Sequence, residues 1–156
     1  MSSEITGSRL DGNCLIIETT AGDQVYDAKF LVAALLVVVA RGSGRIEPEE
    51  SAKMIELIQQ HFHMQGAESL ELLTFAISEL ADKPKLADFL QELGPTLTDG
   101  DKEDIALMGL KVVAADGRRD IAEMEQFNTA MRLIGASPEI VHRAFDRYFA
   151  ETMPGE

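Results

Sequence analysis

Residues 30–40 read Phe-Leu-Val-Ala-Ala-Leu-Leu-Val-Val-Val-Ala, the longest uninterrupted apolar run in the chain. Eleven residues without a polar side chain cannot line a solvated surface, so the rest of the protein must surround whatever this stretch forms. It is too short for a bilayer, which a helix crosses with about 20 apolar residues. Three consecutive valines favour a strand, but the length of the run and Ala33, Ala34 and Ala40 favour a buried helix. Asp27 stands where a helix N-cap is expected, and Gly42 where a left-handed residue closes one. The first expectation is therefore a central helix over residues 27–41, apolar on all sides.

A fainter copy of this run, and of the acidic turn after it, lies further on. The first turn is Gly42-Ser43-Gly44-Arg45-Ile46 and Glu47-Pro48-Glu49-Glu50; from Ile105 the chain reads Ile-Ala-Leu-Met-Gly-Leu-Lys-Val-Val-Ala-Ala-Asp-Gly-Arg-Arg-Asp-Ile-Ala-Glu. At a constant offset Ser43, Glu47 and Glu50 fall on Asp116, Asp120 and Glu123. Two units of the same plan, over about 27–62 and 100–135, are expected from that register.

The remaining punctuation divides the chain into helices. Pro48 at a first helical position, with Glu49 and Glu50 near the positive dipole end, opens a helix to His61 or Phe62. A third, periodic through Leu70, Leu73, Ile77 and Leu80, stops before Lys83-Pro84. A short fourth carries Leu86, Phe89, Leu90 and Leu93 and is expected to end at Gly94-Pro95. The fifth runs from about Lys102 to Ala115, the sixth from Asp120 to Gly135, and Ser137-Pro138-Glu139 starts a seventh through Phe149. Residues 1–26 read as an irregular arm or a small hairpin, because Cys14-Leu-Ile-Ile-Glu-Thr is β-prone and Ala21-Gly22-Asp23 can turn it back. The expected architecture is all-α: about seven helices in one domain over residues 27–150, built as two helical units packed through their apolar helices, with a tail at 151–156.

Composition narrows the function classes. The 156 residues hold 14 Lys and Arg against 27 Asp and Glu, a net charge of −13. Such a chain repels phosphate backbones, and no basic stripe compensates, so nucleic-acid binding is not expected. Cations, basic proteins and the positively charged cytoplasmic loops of membrane proteins are what it attracts. A single cysteine, Cys14, excludes an internal disulfide framework and points to a reducing compartment. The start, Met-Ser-Ser-Glu-Ile-Thr-Gly, has neither the basic nor the apolar region of a signal peptide. A cytoplasmic protein without membrane insertion is the expectation.

The carboxylates after each apolar helix are the candidate chemistry. Asp116, Asp120 and Glu123, at spacings of four and three, can be drawn together by the break at Gly117 and the restart of the helix. Carboxylates on a glycine turn suit hard cations such as calcium and magnesium, which take oxygen ligands; zinc is a third candidate. Glu50 and Glu47 are the corresponding residues of the first unit. A structural role competes: Asp120 and Glu123 are spaced as a capping box, and Asp116 can bond the turn it starts. Neither role excludes the other.

An Ala-Asp-Gly-x-Ile-x-x-x-Glu turn after an apolar helix, occurring twice, resembles the tellurite-resistance TerB family and the related amino-terminal domain of DnaJ-like membrane co-chaperones. Ala115-Asp116-Gly117 with Glu123 matches one copy, with Arg119 at the isoleucine position. Gly42-Ser43-Gly44-Arg45-Ile46 with Glu50 matches the other, with Ser43 in place of the aspartate. The resemblance covers about residues 27–150. It implies an all-helical, non-enzymatic cytoplasmic module of bacterial stress systems, with acidic residues that bind metal ions and with protein partners that include membrane-associated components of those systems. Carried over by position, Asp116 and Glu123 are the first candidates and Glu50 the next. Because a hydroxyl is a poorer ligand than a carboxylate, Ser43 makes any such site one-sided. The alternatives are a dedicated divalent-metal-binding protein and a small helical enzyme with scattered carboxylates; a homo-oligomer is compatible with each.

Other signals weigh little. His61 and His63 lie two apart near a helix end and point in different directions on it, so they read as dipole partners rather than metal ligands. Glu139-x-x-His142 has the spacing of a di-iron half-motif, but no second pair exists. No serine triad, phosphate loop, dinucleotide fingerprint or metalloprotease motif is present.

Overall fold

A computed structural model describes residues 4–12, 14–41, 46–83, 85–115 and 121–152 of the chain. Three strands come first: β1 (Ile5–Asp11), β2 (Cys14–Thr19) and β3 (Gly22–Tyr26), an antiparallel sheet in the order β1-β2-β3. The β2–β3 pair is the expected hairpin, but it turns at Thr20 and Ala21, with Gly22 already paired to Thr19. The Thr19 hydroxyl closes this turn, donating to the Gly22 carbonyl at 2.6 Å and accepting from the Ala21 amide at 3.1 Å. Strand β1 is an addition to the expected hairpin. Leu15 and Ile17 are fully buried on the inner face. On the other face Arg9 stands in one cross-strand row with Ile16 and Val25 and reaches Glu18 at 2.6 Å and Asp23 at 3.3 Å.

Among the described residues seven α-helices follow, with α1 (Ala28–Ala40) at the centre. Asp27 caps it as expected, its Oδ1 accepting from the Phe30 amide at 3.0 Å. Ten of the helix's thirteen residues are buried, each large apolar side chain contributing about 1.5–3 kcal/mol by its removal from water. That burial is why the valine run is helical here: the helix is packed by α2 (Pro48–Phe62), α3 (Gly66–Asp82), α5 (Asp99–Ala114) and α6 (Ile121–Ile134), and no open face remains for a strand neighbour. Tyr26, Phe30 and Phe75 join the sheet to α1 and α3, with the Tyr26 and Phe30 ring centroids 4.4 Å apart and those of Phe30 and Phe75 5.4 Å apart.

Two boundaries differ from expectation. After α4 (Leu86–Leu90) the chain does not stop at Gly94-Pro95 but continues as a 3-10 turn over Gln91–Thr96. The ring of Pro95 is tolerated in this short turn, and Gly94 is needed there for contact: a Cβ added to it would stand 3.0 Å from the Ile134 carbonyl oxygen. Helix α5 begins at Asp99 rather than Lys102, because Thr98 and Asp101 form a capping box. The Asp101 amide donates to the Thr98 hydroxyl at 3.1 Å and the Thr98 amide to Asp101 at 3.0 Å.

The last helix, α7 (Pro138–Thr152), packs along α5. Ser137 starts it, its hydroxyl accepting from the Ile140 amide at 3.3 Å. Glu103 on α5 is held by Arg143 at 2.8 Å and Arg147 at 3.0 Å, and Arg147 also reaches Asp104 at 2.7 Å. Lys111 and Glu151, 3.3 Å apart, continue the seam. Among the described residues, no helix is long and apolar enough to cross a membrane.

Candidate functional site

Helices α2 and α6, which follow the apolar helices α1 and α5 in the chain, each carry a glutamate as their third residue, Glu50 and Glu123. At the start of α2, Pro48 occupies the first turn and Glu47 the extended N-cap position. Glu50, three residues on, folds back so that its Oε1 accepts from the Glu47 amide at 3.0 Å. This joins Glu47 and Glu50 directly. The Glu50 side chain is wholly buried, at 0% exposure, and its Oε2 has no hydrogen-bond partner among the described residues. In the second unit Glu123 holds the corresponding place in the first turn of α6, also at 0% exposure. Asp116 and Asp120, with the expected Asp120–Glu123 capping box and the Asp116 turn, lie outside the described residues, as does Ser43.

Burying an ionised carboxylate costs several kcal/mol. A helix N-terminus offsets up to about 2 kcal/mol of this, and a charge-assisted hydrogen bond about 1.5–3 kcal/mol. Glu50 has both for one oxygen and, among the described residues, no donor for the other. An acceptor-only oxygen in that position suits a hard cation, which supplies the missing positive charge without a hydrogen. Among the described residues, no group of three or more His, Cys, Asp and Glu side chains is placed to hold a metal ion.

The other carboxylate and histidine signals are accounted for locally. His142, with its side chain 77% exposed, sits 3.6 Å from Asp146 on the outer face of α7, and Glu139 is exposed beside it. The Glu139-x-x-His142 spacing therefore faces solvent instead of an enclosed centre. His61 lies in the last turn of α2 and packs edge-on against Phe62 at 4.6 Å. His63 ends the helix in the left-handed conformation, with φ of 54°.

Sequence reasoning passed over one buried polar cluster. The Tyr26 hydroxyl donates to Glu79 Oε1 at 2.6 Å, and Lys83, only 7% exposed, donates to the same oxygen at 3.0 Å. Burial, and then the Glu79 carboxylate, push the Tyr26 phenol well above its ordinary pKa, so it stays a donor. The Glu79–Lys83 spacing of one helical turn was its visible sign. The cluster fixes the sheet to α3.

Comparison with protein families gives a match over residues 29–146 to the family described as tellurite resistance protein TerB. The chain belongs to the TerB family. The matched region begins inside α1 and ends inside α7, so this TerB domain includes both acidic helix starts and leaves the N-terminal sheet outside. Comparison with curated proteins and with solved structures gives no match.

Proposed function

We propose that this TerB domain is a non-enzymatic module of a bacterial stress response, in which a divalent cation held at the acidic helix starts tunes a surface for protein partners. The observation that carries the cation reading is Glu50: a fully buried carboxylate with one oxygen committed to its own helix cap and the other without a hydrogen-bond donor among the described residues. Glu123, equally buried in the second unit, is the corresponding ligand, with Asp116 and Asp120 beside it in sequence and Glu47 beside Glu50. Bound there, calcium or magnesium would neutralise negative charge that the fold encloses. The net charge of −13 supports the second half of the reading, since it favours partners with basic segments, including the cytoplasmic loops of membrane-associated stress proteins.

The test is thermal and chemical unfolding of metal-free protein with calcium, magnesium or zinc added, for the wild type, Glu50→Gln and Glu123→Gln. A cation at about one hundred times its dissociation constant raises the stability of the folded wild type by about 2.7 kcal/mol. Glu50→Gln keeps the oxygen that accepts from Glu47, removes the buried charge, and should therefore be at least as stable as wild type without metal while losing the response to it. Equal melting temperatures with and without each cation in the wild type would remove the cation from this reading.

A further inference from the structure

Helices α6 and α7 both pack on α5 and splay apart from the turn at Gly135, meeting through the Phe127 and Phe145 rings 6.3 Å apart. Between them runs an open groove of about 910 Å³, floored by Met131, Val141 and Phe145. Its α6 wall carries Glu125, Gln126, Asn128, Thr129 and Arg132, of which Glu125, Asn128, Thr129 and Arg132 form one stripe at helical spacing.

The charges on this stripe select the occupant. Glu125 and Arg132 are both exposed, and among the described residues neither takes part in an ion pair; Arg132 only donates to the Thr129 hydroxyl, at 3.4 Å. Seven residues apart, they are separated by about 10 Å along the helix, which is too far for the two to neutralise each other. A second α6 lying antiparallel across the stripe, about a two-fold axis between Asn128 and Thr129, sets each Glu125 against the other copy's Arg132. The same pair forms twice, as an isologous contact requires. Two chains of charge −13 repel, so a face that meets its own copy must be locally balanced. The groove lining meets that condition: Glu125 is its one carboxylate, Arg132 its one guanidinium, and the exposed His142 on the α7 side its remaining titratable side chain.

We infer that the α6–α7 groove is a self-association site in which α6 of a second copy docks antiparallel, paired through reciprocal Glu125–Arg132 bridges over the Met131, Val141 and Phe145 floor. Sedimentation of wild type, Arg132→Glu, Glu125→Arg and the double exchange across a concentration series tests it. The wild type should approach twice the 17.1 kDa of one chain as concentration rises. Each single exchange sets like charges together at both ends of the contact and should raise the dissociation constant by about tenfold or more. The double exchange restores opposite charges and should return it to within about threefold of wild type. Urea midpoints confirm that each variant is folded; Arg132→Gln, which removes the bridge without adding a like charge and should also weaken association, replaces a single exchange that is not. A wild type that stays monomeric throughout, a dimer that the single exchanges leave intact, or a double exchange that fails to recover association overturns the inference. None of these outcomes depends on metal binding, so it stands or falls separately from the cation reading.

Discussion

The hydroxyl of Tyr26 donates a 2.6 Å hydrogen bond to Glu79, tying the last residue of the sheet to the fourth turn of α3 from inside the protein. Lys83 shares the same carboxylate oxygen at 3.0 Å and keeps a longer contact to Asp82 at 3.4 Å. The two partners of Glu79 are therefore not equivalent: one is a neutral donor and the other a nearly buried charge. Tyr26→Phe removes the neutral donor and leaves the ion pair, and should cost about 1–2 kcal/mol. Glu79→Leu leaves Lys83 with only the weaker Asp82 contact, and should cost about 3 kcal/mol. Urea unfolding of both variants measures the difference; equal costs would mean that the lysine is satisfied without Glu79.

Gly94 makes a second prediction, because the atoms facing it are main chain. An added Cβ would meet the Ile134 carbonyl oxygen at 3.0 Å, its carbonyl carbon at 3.2 Å and its Cα at 3.4 Å, none of which can rotate away. Gly94→Ala should therefore destabilise the protein by about 1–3 kcal/mol, even though alanine lowers the entropy of the unfolded chain. Gly100→Ala is the control: its Cβ meets only the Thr98 hydroxyl, at 3.7 Å. It should leave stability unchanged or raise it by up to about 1 kcal/mol. If both alanines behave alike in thermal unfolding, the close approach to Ile134 does not constrain the fold.

Gly94 also shows where the sequence stops being legible. A Gly-Pro pair after a short helix reads as a terminator, and the same pair equally allows a 3-10 turn with a backbone contact; only the position of Ile134, forty residues on, decides between them. Local chemistry was a sufficient guide where one residue satisfies its neighbours, as with the Asp27 cap of α1 and Pro48 at the start of α2. It also sufficed for the long helices, whose apolar spacing is repeated over many turns. Strand β1 was obscure because Thr6-Gly7-Ser8-Arg9 has no alternating apolar pattern, and its pairing depends on β2 and on the Arg9 ion pairs. At the candidate site the positions of Glu50 and Glu123 were legible from the repeat, but their burial was not. Carboxylates in a first helical turn ordinarily face water, and only the packing of α2 and α6 into the bundle encloses these two.

The seam between α5 and α7 gives a pH prediction. Glu103 accepts from Arg143 at 2.8 Å and from Arg147 at 3.0 Å, and the hydrogen bonds from these two guanidinium groups, Arg143 first, hold its carboxyl below the ordinary value. Arg147, pushed further up by its hydrogen bond to Asp104, stays charged throughout. A carboxyl whose folded pKa is depressed stabilises the fold above its unfolded pKa, and that contribution is lost as pH falls through the folded value. The loss should begin near the ordinary glutamate value of about 4.3 and grow below it. Glu103→Gln cannot lose a charge it does not carry, so wild type and variant should differ most near neutral pH and converge as the medium is acidified. Urea midpoints taken from about pH 6 down to about pH 3 track this convergence. Parallel curves would mean that the arginines contribute nothing to Glu103 in the folded protein, and that α7 is held on α5 by Ala144, Phe145 and their apolar neighbours alone.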